Sequence, residues 1–463
     1  MGFYGMNYPI WTVPFLGGSW IIGIIACLHI FVSHFAVGGG MFFALTEAIA
    51  HKRQDNNLYD YLKKHSMFFL LLTTVFGAVS GVAIWWSISL VSPDATHTLI
   101  QTYTLGWACE YVFFVAELAT IFVYYYTWGR VSEKTHLAMA RWYAIHSVLT
   151  LVIINGIITF MLTPGDWMNT HYWLQGFFNP TYWPGLLIRL CVMAAIAGMY
   201  ALVTTAKLPH NDFRTWMLRY SAKWFLPIFV IGPVLFWWYF NNLPTDVVNT
   251  IFNGIQTSGV GNFSILTRAV YLSLILSGTI LVYAFVGPYL NPRGFSFKAS
   301  LAFLLCGVIV TSIGEWSREM LRKPYTVYGY MYSNGLKVGD IDAINAKGYL
   351  ATSKWAKAAV AGLDPTTDLH TYQLQAGKSM FQGQCMACHT ENGYRSMSRM
   401  LGDRDAEAIL AFVQTIHKTD RKANPYMGIM PPAVGTDDEM KALAVYLSTI
   451  NAKNPTKALA QAH

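Results

Sequence analysis

Toward its C-terminal end the chain reads Cys385-Met386-Ala387-Cys388-His389. Two thiols three positions apart, followed at once by a histidine, form the C-x-x-C-H pattern of covalent haem c attachment. The chemistry would be thioether formation between the haem vinyl groups and Cys385 and Cys388, with His389 as the proximal iron ligand. One covalent haem c is therefore expected. A low-spin iron needs a second axial ligand, and Met430 in Gly428-Ile429-Met430-Pro431-Pro432 is the expected one. Its thioether is a soft, neutral donor that raises the iron potential. The prolines behind it restrict the backbone that would hold the sulfur at the ring. Met427 and His417 compete for the same role.

A second set of ionisable residues lies in strongly apolar sequence. It comprises His29, His34, Glu47, His65, Glu110, Glu117, Arg130, His146, Arg189, Arg268, Glu319 and Arg322. Inside hydrocarbon each costs several kcal/mol unless paired or placed in a cavity, so each marks a candidate site. At a helical rise of about 1.5 Å per residue, His29 lies roughly 17 Å from one surface and His146 roughly 12 Å from the other. In a core of about 30 Å those depths nearly meet, so a bis-histidine haem b between the first and fourth spans is expected. His34 follows His29 by five residues and faces away from it. His65, beside Lys63 and Lys64, is expected at the interface, with haem ligation as its alternative. Glu110 and Glu117 are seven residues apart and share a helix face, where two carboxylates could relay protons or approach an iron. Ion pairing to Arg189 or Arg268 is the plainer role. Glu319 could ligate a high-spin iron while Arg322 pairs with haem propionates. Interfacial snorkelling would also explain both.

These residues need a scaffold, and composition supplies it. Of 463 residues 54% are hydrophobic and 12% charged, against about 25% charged in soluble domains. Apolar runs of spanning length recur over 18–50, 66–91, 105–128, 138–162, 185–206, 224–242, 266–289 and 299–320. The first run has no basic residue before it and is too long for a signal-peptide core, so it is read as a retained span. Cys27, Cys109, Cys191 and Cys306 sit singly in these runs and read as small buried hydrophobes. The expected fold is all-α: a polytopic bundle of eight transmembrane helices over 1–325, a connector over 326–368, and a cytochrome c-like domain over 369–463.

Basic residues set the orientation. Lys52, Arg53, Lys63, Lys64, Arg130, Lys134, Arg141, Lys207, Arg214, Arg219, Lys223, Arg293 and Lys298 all fall in alternate loops, and the other loops have none. The positive-inside rule puts the N-terminus outside and, after eight crossings, the tail outside as well. Haem c is attached on that side of a bacterial cytoplasmic membrane. The net charge of +8 is thus a topology signal and gives no reason to expect nucleic acid.

The membrane part, about 18–330, resembles subunit I of the cytochrome bd quinol oxidase family. His29 and Glu47 reproduce a family spacing, and Glu110, Glu117 and Trp128-Gly129-Arg130 are similar to its third-helix segment. Its late Glu-x-x-Arg-x-Pro-aromatic motif stands here as Glu319-Met320-Leu321-Arg322-Lys323-Pro324-Tyr325. The resemblance implies that His29 holds an oxygen-reactive haem and Glu319 a high-spin haem b. The low-spin ligands of the family are replaced, with Arg189 and Val270 at the aligned places. The quinol-binding loop is reduced to about 243–265, and a segment resembling a class I cytochrome c stands where the ninth helix would be. One or two haems b are expected, quinone is a candidate ligand, and haem d is left unassigned.

Three functions follow. The leading one is a membrane cytochrome subunit moving electrons between quinol or membrane haem b and a periplasmic haem c, within an oxidoreductase complex. The second is an oxygen reductase fed by haem c, and the third a non-catalytic anchor and conduit for a peripheral redox enzyme. Expected partners are a second membrane subunit, periplasmic redox proteins, quinone and membrane lipid.

Overall fold

The computed structural model describes residues 10–249, 262–420 and 422–451. Eight helices among them have the length and hydropathy to cross a membrane. They are α1 (Gly18–Arg53), α2 (Asn56–Val91), α3 (Thr104–Tyr126), α4 (Glu133–Phe160), α5 (Tyr182–Ala206), α6 (Asp212–Asn241), α7 (Ile265–Leu290) and α8 (Phe297–Leu321). The molecule is an all-helical polytopic bundle with a C-terminal cytochrome c-like domain. Part of the expected short loop, residues 250–261, lies outside the described residues.

Local chemistry starts and stops these helices. Basic side chains His51, Lys52 and Arg53 fill the last turn of α1, where they complement the carbonyl end of the helix dipole. Gln54 then takes a left-handed conformation, φ 53°, and Asp55 caps α2 by accepting from the amides of Asn57 and Leu58. Ser132 caps α4 and Asn211 caps α6 through backbone amides in the same way. Arg214, buried in the first turn of α6, donates to the carbonyls of Pro292 (3.2 Å) and Phe295 (2.6 Å) and so ties the start of α6 to the loop after α7.

By Cα proximity the chain divides into two compact units. Residues 25–83 and 102–321 form the bundle unit, and 1–24, 84–101 and 322–463 form the other. In the bundle, α1 is the hub. Gly38 packs on the carbonyl of Met193 in α5, Gly39 on the ring of Phe69 in α2, and Gly40 on Tyr143 and Ser147 in α4. A side chain at any of the three would collide with its neighbour, so small residues are what let four helices close up.

In the second unit, α9 (Leu369–Met380) and α10 (Ala406–His417) each pack on α11 (Asp437–Thr449). Residues 326–368, expected as a connector, are built into this core. Tyr332, Ile341, Ile344, Tyr349, Leu350 and Ala356 are buried together with Met380, Phe381 and Leu443. Glu439 explains part of the attachment. Besides closing a capping box with Thr436, it accepts from the amides of Tyr349 (2.7 Å) and Leu350 (2.8 Å). The chain enters this region through a two-stranded antiparallel hairpin, β1 (Tyr325–Val327) and β2 (Met331–Tyr332).

The unit also holds two of the segments that carry no basic residues, the N-terminal one and that around 92–101. Ser19 Oγ donates to the carbonyl of Ala387 (2.6 Å), inside the C-x-x-C-H motif. The amide of Tyr394 donates to Phe15 (2.7 Å), and that of Trp11 to Leu90 (3.0 Å). The start of α1 and the segment 84–101 therefore belong to the same compact unit as the tail.

Asp94 sits against Gly335, whose φ of +85° leaves no space or conformation for a larger residue. Burial raises its pKa, and His97 and Lys337 only partly oppose this. A carboxyl whose folded-state pKa is raised contributes its stability in full below its unfolded value, about 3.9, and loses it as pH rises through the folded value. Thermal melts of the full chain, followed through the haem c absorbance, should therefore show stability falling with pH across that window. Asp94→Asn should flatten the fall and be the more stable protein at neutral pH.

Candidate functional site

Cys385 and Cys388 follow a short wide helical turn, Phe381–Cys385, that continues α9. Burial pushes the Cys385 thiol up to about 12, so the site resists a thiolate and suits an uncharged thioether. Burial likewise lowers the pKa of His389 and keeps the imidazole neutral, the form that binds iron. Nδ1 of His389 lies 3.2 Å from the carbonyl oxygen of Arg395. A carbonyl can only accept, so Nδ1 carries the proton and the Nε2 lone pair is left for a metal. These residues fit a haem c.

Met430 is half-buried and follows the turn Pro425–Gly428. Two devices fix its loop. Gln384, next to Cys385, donates from Nε2 to the carbonyl of Val434 and accepts at Oε1 from the Val434 amide, both at 2.8 Å. Asn424 donates to the carbonyls of Ile416 and Lys418 and accepts from the amide of Tyr426. The loop bearing Met430 is thus clamped to the segment bearing the cysteines. His417 is engaged with the carbonyl of Ala433 (2.9 Å), which gives it a structural task in the same loop.

In the bundle, Nδ1 of His29 lies 3.1 Å from Ser80 Oγ, whose own hydrogen goes to the carbonyl of Phe76. His29 is again a Nδ1–H tautomer with Nε2 as the free donor atom, and Gly81 leaves room beside its ring. His29 suits a haem iron. His146 engages different neighbours: Thr120 of α3 at 3.5 Å and the stacked ring of Trp142. Among the described residues no hydrogen bond or ring contact joins His29 and His146. His65 is 1% exposed and enclosed by Phe35, Phe42, Phe43, Phe68 and Tyr61, where an interfacial residue was expected. Thr204 takes up its Nδ1.

Glu117 is buried and accepts from the hydroxyl of Tyr143 (3.1 Å), which also reaches the carbonyl of Ala36 in α1. Glu110 lies within electrostatic reach of it on the same face. The ion pairing considered for these carboxylates goes elsewhere. Arg189 pairs with Glu315 at 3.8 Å, and Glu315 also holds Arg318, while Arg268 is exposed on α7. Glu319 is half-buried at the end of α8. Arg322 is buried and donates from Nη1 to the carbonyl of Thr326 (3.1 Å).

Sequence reasoning missed two pairings. Glu47, fully buried, meets His136 Nδ1 (2.7 Å) and the hydroxyl of Tyr124 (2.9 Å). His136 Nε2 faces the carbonyl of Tyr124 (2.9 Å) and must donate to it. A single proton is then shared between Nδ1 and Glu47. The Arg189–Glu315–Arg318 cluster was the other miss, although an acid and a base three apart inside a span were a visible signal.

A cytochrome c family model matches residues 374–451. No curated protein matches the chain. Among solved structures, the bd oxidase from Geobacillus thermodenitrificans is similar, with 14% sequence identity and a TM-score of 0.55, covering 78% of this chain and 95% of that one. The likeness is one of fold: a bd-oxidase-like bundle joined to a cytochrome c domain.

Gln384→Ala would leave both backbone groups of Val434 buried without their Gln384 partners, a loss of roughly 2–6 kcal/mol at 1–3 kcal/mol per group. Denaturation of the full chain should register it, and the methionine-ligation absorbance band of the outer haem should weaken before the Soret band is lost. Met430→Ala should abolish that band outright, while unchanged spectra would transfer the role to Met427.

Proposed function

We propose that this chain is the cytochrome subunit of a membrane oxidoreductase, passing electrons between quinol or membrane haem b and an outward-facing haem c. The observation that carries the reading is the junction of the haem c motif with the start of the first span, through Ser19 and Ala387. A haem c attached to a motif that is hydrogen-bonded to the start of a membrane helix would be a fixed electron port. Thirteen basic residues in alternate loops, with none in the loops that share the tail's unit, support an outside location for that port in a bacterial cytoplasmic membrane.

The chain's residues divide the work. His389 Nε2 and Met430 Sδ hold the outer iron, and Cys385 and Cys388 tether its ring. His29 Nε2 is the best-presented donor inside the bundle, with Glu319 and Arg322 as candidate groups at the end of α8. Haem iron supplies one-electron exchange, so the two electrons of a quinol must leave singly, and its two protons must be taken up by protein groups. Glu117 is the acceptor we assign: its carboxylate is buried, held by Tyr143 and followed toward the helix start by Glu110. The many exposed apolar side chains of α2 and α7 suit lipid and a second membrane subunit.

A second reading, an oxygen reductase fed by haem c, is favoured by one observation: with Nδ1 of His29 turned to Ser80, its Nε2 has no hydrogen-bond partner among the described residues. The two readings separate in one preparation. Adding menaquinol or ubiquinol to the purified complex should reduce haem c, and Glu117→Gln should slow that reduction by about a hundredfold, within the usual range for a positioned proton acceptor. Failure of every quinol to reduce haem c would end the first reading. Cyanide-sensitive oxygen uptake driven by a reduced soluble donor, with a CO-reactive haem, would establish the second.

A further inference from the structure

We propose that Arg189 and Arg318, braced by Glu315, form a carboxylate-binding site within the bundle that receives a propionate of a membrane-embedded haem. The proposal rests on the reading above that the bundle holds such a haem, and it assigns residues that neither the motifs nor the fold likeness point to.

The geometry is specific. Arg318 gives Glu315 two donors, Nε at 3.1 Å and Nη2 at 2.9 Å to the same oxygen, Oε2. Its remaining nitrogen, Nη1, is buried and has no hydrogen-bond partner. Arg189 approaches Oε1 from α5 at 3.8 Å, near enough for Coulomb attraction but too long for a hydrogen bond. One carboxylate therefore answers two guanidiniums. Glu319 lies within electrostatic reach of Arg318 but does not bond Nη1. His34 from α1 and Tyr239 from α6 face the same cluster, and neither brings a full negative charge.

A buried guanidinium nitrogen left without an acceptor is unfavourable, and an anion reaching Nη1 would satisfy it. The matching partner is a planar acceptor that takes two parallel N–H bonds, which is a carboxylate. It must arrive inside apolar helices, so it must be borne on an apolar body. A porphyrin, with its acidic side chains at one edge, has that build. An anionic lipid headgroup is the other source of such an anion.

Redox titration of the full-length protein in detergent, resolving haem b from haem c by their spectra, tests the assignment. Arg318→Leu should lower the midpoint potential of the membrane haem and leave that of haem c unchanged, because removing a neighbouring cation favours the ferric state. Glu315→Gln should shift the same potential upward, an opposite sign that general loosening of the bundle does not produce. Arg318→Lys, which keeps the charge, should fall between wild type and Arg318→Leu and serves if the leucine variant does not fold. An unshifted membrane haem in Arg318→Leu and Glu315→Gln overturns the site while leaving the proposed function intact. Loss of co-purifying anionic lipid with no shift overturns the haem assignment in favour of a headgroup. A pyridine haemochrome that finds haem c alone in the wild-type protein removes the site and the reading beneath it together.

Discussion

A charge inside a lipid-embedded bundle has no water to fall back on, and the rest of this molecule is arranged around that constraint. Several buried ionisable groups have been given a partner on another helix. Glu47 of α1 is met by His136 of α4 and Tyr124 of α3. Glu117 of α3 is met by Tyr143 of α4. Arg189 of α5 meets Glu315 of α8. Breaking such a pair strands the surviving charge, which is costlier than losing the attraction alone. The pairs therefore fix which helices adjoin, and functional chemistry must be built from the donors and acceptors left over.

Close packing makes those pairs reachable. Gly38, Gly39 and Gly40 give α1 a smooth flank on which α5, α2 and α4 all close, and without that approach the hydroxyl of Tyr143 would not reach the carbonyl of Ala36 (3.1 Å). The same helix begins at Ser19, hydrogen-bonded into the haem c motif. Beyond it, at His29, an imidazole is oriented by Ser80 (3.1 Å). One continuous helix thus carries both a contact to the C-x-x-C-H motif and an imidazole oriented through its Nδ1.

The haem c motif is held by backbone as much as by its own side chains. Gln384 ties it to Val434, Asn334 donates to the carbonyl of Gln384 (3.3 Å), and Glu439 ties the preceding segment to α11. These are buried amides satisfied one by one, and a buried polar network gives rigidity only when all its members are satisfied. Such a network holds Cys385, Cys388 and His389 at set positions.

Sequence alone determined what depends on local composition and spacing. Spanning length and hydropathy gave the eight helices, and the alternation of lysine and arginine gave a consistent set of sides. Two cysteines and a histidine at fixed spacing marked the haem c motif, because its chemistry is contained in five residues. Tertiary structure alone decided what depends on partners far apart in the chain. Glu47 and His136 are 89 positions apart, and nothing in either neighbourhood names the other. The partner of Arg189 turned out to be Glu315, not Glu110 or Glu117, because interhelical packing sets which flanks meet. Residues 326–368 looked like a tether because their apolar positions are sparse and follow no long period. They become core only when α9 and α11 supply the opposite face. Hydrophobicity assigns a residue to the interior; only the arrangement of helices says what it touches there.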